Sequence, residues 1–142
     1  MKLVDECLLE DELATINYAS QFSSLINRGD VVFLSGQLGA GKTTLVRGLL
    51  RFWGYKGPVK SPTYTLLEPY ETEFSLIYHF DFFRIEDAEE LTFIGMDELL
   101  DRDAIKFIEW SENVVSELPK PNIKVSLQVE GTGRYARVYE NR

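Results

Sequence analysis

Apolar and polar residues along this chain recur with two different periods, and each period predicts one kind of element. Apolar residues at every third or fourth position predict a helix that has Asp11 as its N-cap and ends near Asn27. Short runs of β-branched and aromatic residues predict strands instead, and Leu3–Leu9 is the first of them, at a sheet edge. A β-branched run that begins at Val31 predicts a second strand, which is followed by a glycine-rich loop and a helix that ends near Phe52.

The second half of the chain predicts two hairpins, one further strand and short helices. Strict alternation on both sides of Gly131 predicts the C-terminal hairpin, and a polar turn at Glu71–Glu73 predicts the other. Acidic residues from Glu86 to Glu90 surround a predicted helix start, and such a run of like charges is typical of a solvated face. The predicted segments are strands over Tyr64–Tyr70, Phe74–Phe80, Ala104–Ile108, Asn122–Glu130 and Arg134–Glu140, and a short helix over Met96–Leu100.

The stretch Val31–Leu50 carries the clearest chemistry, because it contains the pattern G-x-x-x-x-G-K-[ST] between a predicted strand and a predicted helix. Glycines allow backbone N–H groups to curve around a phosphate, and the helix directs its positive end at the same anion. Lys42 can reach the outer phosphates, and the Thr43 hydroxyl can be a ligand of Mg²⁺. The predicted nucleotide-binding residues are Gly36, Gln37, Leu38, Gly39, Ala40, Gly41, Lys42, Thr43 and Thr44.

This loop, together with the predicted elements, favours an α/β fold of the P-loop NTPase type. We expect three layers, with a mostly parallel central sheet flanked by helices and with antiparallel hairpins. Ligands of such sheets lie beyond the carboxyl ends of the strands. If the strands that end at Ser35, Asp81 and Glu109 are parallel neighbours, two carboxylates and the Thr43 hydroxyl face one nucleotide. Asp81 is then the predicted ligand of Mg²⁺, directly or through water, and Glu109 would hold a metal-bound water or accept a proton from an attacking one.

Five other side chains are weaker candidates. Thr63 lies in a loop of the kind that senses a γ-phosphate in nucleotide switches, so we count it among the predicted catalytic residues. His79 points to the same sheet face as Asp81, although a packed structural histidine is at least as common. Trp110 could stack on a base or a partner, but tryptophan more often packs in a core. Lys60 and Arg84 are candidates for neutralising charge in a transition state.

Composition limits the functions that this chain could have. Its 142 residues, 44% of them hydrophobic, fit one globular domain over residues 1–142. A net charge of −8 argues against tight binding of nucleic acid by the chain alone, so we expect contacts with nucleic acid to be weak or indirect. The single cysteine excludes an internal disulfide. No apolar run approaches the length needed to span a membrane, and the acidic start does not resemble a signal peptide. We therefore expect a soluble, cytoplasmic protein without a membrane partner.

Four motifs, taken in order, resemble one family over nearly the whole chain. They are LSGQLGAGKTTLVRGL, VKSPTYTL, HFDFFRI and IEWSE. The phosphate loop by itself is generic, but SPTY followed by H-x-D-x-x-R and E-W is specific. The set resembles the TsaE (YjeE) proteins, small ATPases needed for threonylcarbamoyl modification of tRNA.

The resemblance implies ATP and Mg²⁺ as ligands, with the metal near Thr43, Asp81 and Glu109. The phosphates would lie on Gly39, Gly41, Lys42 and Thr44. It makes Thr63 the residue of a switch loop. It also implies two Kae1-like paralogous subunits as partners, in the complex that modifies the adenosine beside the anticodon. The ATPase would bind and reset or drive that complex rather than transfer the carbamoyl group.

The chain departs from the family pattern at two positions. Gln37 stands where an acid is usual, which leaves no metal or water role for that side chain to inherit. Phe83 stands where a tyrosine is usual, so no hydroxyl lies there to act beside Asp81.

Other functional classes remain open at this point. A nucleotide-gated binding module with little turnover would need the same motifs. A small-molecule kinase would need a lid over its acceptor, and the short segments between the motifs leave little room for one. A GTPase is disfavoured because no N-K-x-D sequence occurs.

Overall fold

The computed structural model describes residues 1–142 and contains one sheet of seven strands with four α-helices. None of these helices is both long and apolar enough to cross a membrane. Two short 3₁₀ turns, Ser111–Asn113 and Val115–Glu117, follow the fifth strand. In chain order the elements are β1 Lys2–Leu9, α1 Glu12–Ser23, β2 Val31–Ser35, α2 Lys42–Phe52, β3 Leu67–Glu71, β4 Leu76–Asp81, α3 Glu89–Phe93, α4 Met96–Leu100, β5 Ile105–Glu109, β6 Ile123–Glu130 and β7 Gly133–Glu140.

The strands lie in the order β1-β7-β6-β2-β5-β4-β3. The four central strands β6, β2, β5 and β4 run parallel to one another, whereas β1, β7 and β3 join the sheet in antiparallel pairs. The predicted α/β class, the parallel centre and both antiparallel hairpins are therefore confirmed. Strand pairing places Glu109, at the end of β5, beside Leu34 of β2 on one side and beside Asp81 of β4 on the other.

Helices cover both faces of the sheet, as the prediction of a flanked sheet requires. Val32 and Leu34 of β2 pack into the larger core with α1 and α2. Val31 and Phe33 of the same strand face the opposite side, where the second core includes residues of α3 and α4. A strand that is buried on both faces is the expected result of a parallel centre.

Strand β4 begins at Leu76 rather than Phe74, and two other predicted boundaries are further from the observed ones, for local reasons. Helix α1 begins as predicted, because the Asp11 carboxylate accepts a hydrogen bond from the Ala14 N–H at 2.8 Å. It ends at Ser23 rather than near Asn27, since the chain tightens into a turn over the next residues. Strand β3 begins at Leu67 rather than Tyr64. The backbone turns first, with Leu66 at a φ of 67° and its N–H bonded to the Pro62 carbonyl at 2.8 Å.

The helices α1 and α2 approach closely at Gly48, and this contact supports a stability prediction. A Cβ at Gly48 would lie 2.8 Å from the Ile16 carbonyl oxygen and 3.2 Å from the Ala19 methyl group. Alanine is the better helix former by about 1 kcal/mol. Overpacking typically costs about 1–3 kcal/mol, however, so we expect Gly48→Ala to lower the free energy of unfolding. Urea denaturation measures this, with Ser20→Ala on the exposed face of α1 as the control. A Gly48→Ala variant as stable as the parent would contradict this account of the packing.

Candidate active site

The loop between β2 and α2 has the backbone of an anion-binding turn. Gly36 has a φ of 154°, and a Cβ there would lie 2.6 Å from the Leu127 carbonyl oxygen of β6. Gly41, which directly precedes α2, has a φ of 97°, in the left-handed region that favours glycine. The loop therefore passes close to the sheet and then turns sharply into the helix. Its geometry directs the free N–H groups of the first turn of α2, and the positive end of the helix dipole, at one point.

An arginine from the β6–β7 hairpin is hydrogen-bonded to the backbone of this loop. Arg134 of β7 donates from Nε to the Ala40 carbonyl at 3.1 Å and from Nη2 to the Gly39 carbonyl at 2.9 Å. These bonds tie two successive carbonyl groups to a strand of the sheet. The bond to the Ala40 carbonyl directs the N–H of the same peptide unit, that of Gly41, to the opposite side, whereas the Ala40 N–H donates to the Gln37 carbonyl at 3.0 Å. Arg134 is not among the site residues predicted from the sequence.

We expect Arg134→Gln to weaken nucleotide binding by about tenfold, because the variant loses the charged fork that orients the loop. One hydrogen bond to a charged group contributes about 1.5–3 kcal/mol, and about 1.4 kcal/mol corresponds to a factor of ten in affinity. Isothermal titration with ADP measures the change. Arg137→Gln is a matched control, since Arg137 lies on the same strand and contacts Glu6 and the Tyr135 ring outside the cavity. Equal affinity in both variants would exclude this support role.

The carboxylates that the sequence placed at strand ends lie side by side beneath the loop. Asp81 is 2% exposed and Glu109 is 4% exposed. The Thr43 hydroxyl donates to Glu109 Oε2 at 3.4 Å, and Lys42 Nζ lies 3.8 Å from Glu109 Oε1. The Thr63 hydroxyl donates to Asp81 Oδ2 at 3.0 Å, while Asp81 Oδ1 accepts from the Phe83 N–H at 2.8 Å. The strand order therefore brings Asp81 and Glu109 to the loop, and Thr63 joins them from a turn through its bond to Asp81; the roles of all three stay predictions.

Lys42 is the buried cation of this site. Its Nζ donates to the Gly36 carbonyl at 2.7 Å and lies 3.9 Å from the centre of the Trp110 ring. Burial lowers the pKa of the Lys42 ammonium, although the nearby carboxylates of Glu109 and Asp81 act in the opposite direction. A desolvated ammonium group that has only part of its charge compensated gains from an incoming anion. Trp110 itself has a left-handed backbone, with a φ of 59°.

These groups surround a cavity of about 330 Å³. Leu38, Gly39, Gly41, Lys42, Thr43 and Thr44 of the predicted loop line it, together with Thr63, Asp81 and Glu109. The other three predicted loop residues, Gly36, Gln37 and Ala40, do not line it. Ala40 is buried in the core, and the Gly36 carbonyl contacts Lys42 from behind.

The cavity has a second wall that sequence reasoning did not foresee. It consists of residues at the start of α1 and in the β6–β7 hairpin: Asp11, Glu12, Thr15, Thr132 and Arg134. No local signal marks these residues as a group, because only the packing of α1 on α2 and the sheet register bring them to the loop. Ser61 completes the lining.

The remaining candidates divide into two groups. Lys60 and Arg84 do not line the cavity, and the Arg84 guanidinium lies over the exposed Tyr64 ring, 5.1 Å from its centre. Trp110 and His79 do touch the site, through Lys42 and Glu109 respectively. Phe83, where the family usually has tyrosine, packs its ring 4.8 Å from that of Trp110.

The oxygen donors of this site determine which metal ion it could hold. No three or more His, Cys, Asp or Glu side chains are grouped closely enough to hold a metal on their own. The site offers the Thr43 hydroxyl and the Asp81 and Glu109 carboxylates, all oxygen donors. Mg²⁺ is usually held by one or two carboxylates, with phosphate oxygens and waters completing its shell. These residues therefore fit Mg²⁺ bound together with a nucleotide.

Comparison with known proteins gives a consistent result. A family model described as "Threonylcarbamoyl adenosine biosynthesis protein TsaE" matches residues 9–137. The tRNA threonylcarbamoyladenosine biosynthesis protein TsaE of Haemophilus influenzae is 42% identical over 124 residues, which are 84% of this chain and 78% of that protein. The protein of the same name from Rickettsia bellii is 35% identical over 128 residues, 89% of this chain and 88% of the relative. Among solved structures, Bacillus subtilis YdiB superposes with a TM-score of 0.79 at 22% identity, covering 99% of this chain and 88% of that one.

Proposed function

Because this chain belongs to the TsaE family of threonylcarbamoyl adenosine biosynthesis proteins, we propose that it is an Mg²⁺-dependent ATPase that acts as an accessory subunit in that tRNA modification. One observation carries the proposal beyond the family level. A buried lysine, two buried carboxylates and two threonine hydroxyls converge on the same side of a phosphate-binding loop, around a single cavity. This combination supplies what phosphoryl transfer to water requires: positioned cationic groups, metal ligands and a carboxylate for the water.

Binding of the triphosphate would use the backbone first. The N–H groups at Gly39, Gly41 and the start of α2 would bind the phosphates, and Lys42 would exchange its bond to the Gly36 carbonyl for a phosphate oxygen. Thr43 and Asp81 would hold Mg²⁺, which supplies charge neutralisation at the phosphates when it is bound.

Glu109 is the residue that we assign to the attacking water. Its carboxylate lies at the end of the central strand β5, within 3.8 Å of Lys42 and beside Thr43. A carboxylate in that place can accept a hydrogen bond from a water and orient it in line with the terminal phosphate. Thr63 would report the outer phosphate, because its hydroxyl already bonds to Asp81.

The partners belong to the same proposal. We propose that the ATPase acts on two Kae1-like paralogous subunits, resetting or driving the complex rather than transferring the carbamoyl group. The net charge of −8 supports only weak or indirect contact with tRNA, since phosphate neutralisation drives tight binding.

Steady-state phosphate release, measured with the chain alone and with the purified partner complex, tests the proposal. We expect Mg²⁺-dependent release that rises when the complex is added. Assembly with the partners in a non-hydrolysable ATP analogue is the second measurement. If the modification proceeds fully in that analogue, the chain is a nucleotide-gated binding module and hydrolysis is not its function.

A further inference from the structure

His79 is the only histidine of the chain, and it lies beneath the site without any solvent exposure. It is two residues before Asp81 on β4, on the same face of the sheet. Its Nε2 forms a hydrogen bond with Glu109 Oε2, and its Nδ1 has no hydrogen-bond partner. A buried nitrogen without a partner is unfavourable, so an apolar side chain would fill this space at lower cost. The bond to Glu109 is what the imidazole contributes here.

Glu109 has three neighbours that can hold its carboxylate. Thr43 and His79 both contact Oε2, and Lys42 lies near Oε1. In the proposed function Lys42 and Thr43 give up their contacts with Glu109 when a nucleotide binds, because Lys42 would turn to the phosphates and Thr43 to the metal. Of the three, only His79 lies fully buried beneath Glu109, and it has no role in binding the nucleotide or the metal.

We therefore infer that His79 is a positioning residue, which holds the Glu109 carboxylate toward the cavity while ATP occupies the site. The inference rests on the proposed function of Glu109. With Glu109 ionised, the carboxylate only accepts, so the His79 Nε2–H donates. The two side chains come from neighbouring parallel strands, and His79 pairs with Phe107, two residues before Glu109. A bond between two strands of one ladder orients the carboxylate more rigidly than a loop residue could.

Kinetics distinguish positioning from simple packing through two variants of His79. Gln places an N–H near the position of Nε2, whereas Leu has no donor. Loss of a group that orients a functional side chain typically costs about 10–100-fold in activity, so we expect His79→Leu to lower kcat by at least about tenfold. The dissociation constant for ADP should change less than about twofold, and His79→Gln should recover most of the lost kcat. Unchanged kcat in His79→Leu, or equal losses in Leu and Gln, would overturn the inference.

A spectroscopic measurement tests the bond without turnover and without a change at His79. Because the chain has one histidine, a ¹⁵N-correlated spectrum of the imidazole contains a single ring system. We expect a donor proton on Nε2 that moves upfield in Glu109→Gln and stays in place in Glu117→Gln, which changes an exposed carboxylate. A ring signal that is indifferent to Glu109→Gln overturns the positioning inference alone. Absence of turnover in the wild type, with or without the partner complex, would instead overturn the proposed hydrolysis and the kinetic role of His79 with it.

Discussion

Replacing Lys42 by alanine is expected to lower ATP turnover by about 10²–10³-fold, the typical loss when one preorganised donor to developing negative charge is removed. Lys42 is only 5% exposed, and its ammonium group lies among Gly36, Glu109 and the Trp110 ring. The low local dielectric strengthens the attraction between the ammonium group and a phosphate. A water molecule in the place of the missing ammonium group would stabilise the phosphate charge less. Phosphate release at saturating ATP and Mg²⁺ measures the effect.

The control for this variant is Lys120→Ala, which removes the same charge from an exposed side chain that does not line the cavity. We expect turnover within about twofold of the parent, because an exposed charge outside the cavity is screened by salt. Thermal unfolding of both variants separates a loss of chemistry from a loss of fold. Ordinary turnover in a folded Lys42→Ala protein would remove the phosphate loop from the mechanism.

Replacing Asp81 by asparagine is expected to reduce turnover by about 10²-fold, or about 2.7 kcal/mol of barrier, because an amide is a poor ligand for Mg²⁺. The substitution keeps the shape of the side chain. Oδ1 can still accept from the Phe83 N–H, so the end of β4 should remain folded. The distinguishing measurement is the dependence of turnover on Mg²⁺ concentration, since a weakened metal site is partly restored at high Mg²⁺.

Asp97→Asn is the matched control, because it makes the same chemical change on the exposed side of α4. Its Mg²⁺ dependence should equal that of the parent. A Mg²⁺ dependence in Asp81→Asn that is unshifted while turnover is lost would show that Asp81 acts through Thr63 rather than through the metal.

Several elements of the fold were predictable because their causes are local. The Asp11 cap, the hairpin at Gly131 and the loop before α2 each depend on residues within a few positions of one another. The end of α1 and the start of β3 were misjudged, since apolar residues continue past both points while the backbone turns. Periodicity records which side chains are buried, and a turn can bury them as well as a helix or strand.

The candidate site was predictable only in part, for a different reason. Asp81 and Glu109 could be named from their places at strand ends, but their proximity depended on β4 and β5 being parallel neighbours. Arg134 could not be named, because it supports a loop residue 94 positions earlier through the antiparallel register of β7. His79 could be placed on the correct face, whereas its bond to Glu109 required the β4–β5 register.

The sequence by itself determined the phosphate-binding loop, the elements on either side of it and the family to which the chain belongs. Short-range steric and hydrogen-bonding preferences suffice for the first two. Tertiary structure alone decided that Glu109 lies between Lys42 and His79, and that the wall of the cavity comes from both ends of the chain. These distances depend on the order and register of the strands. Order and register are selected by burying two apolar faces at once, which no local stretch of residues encodes.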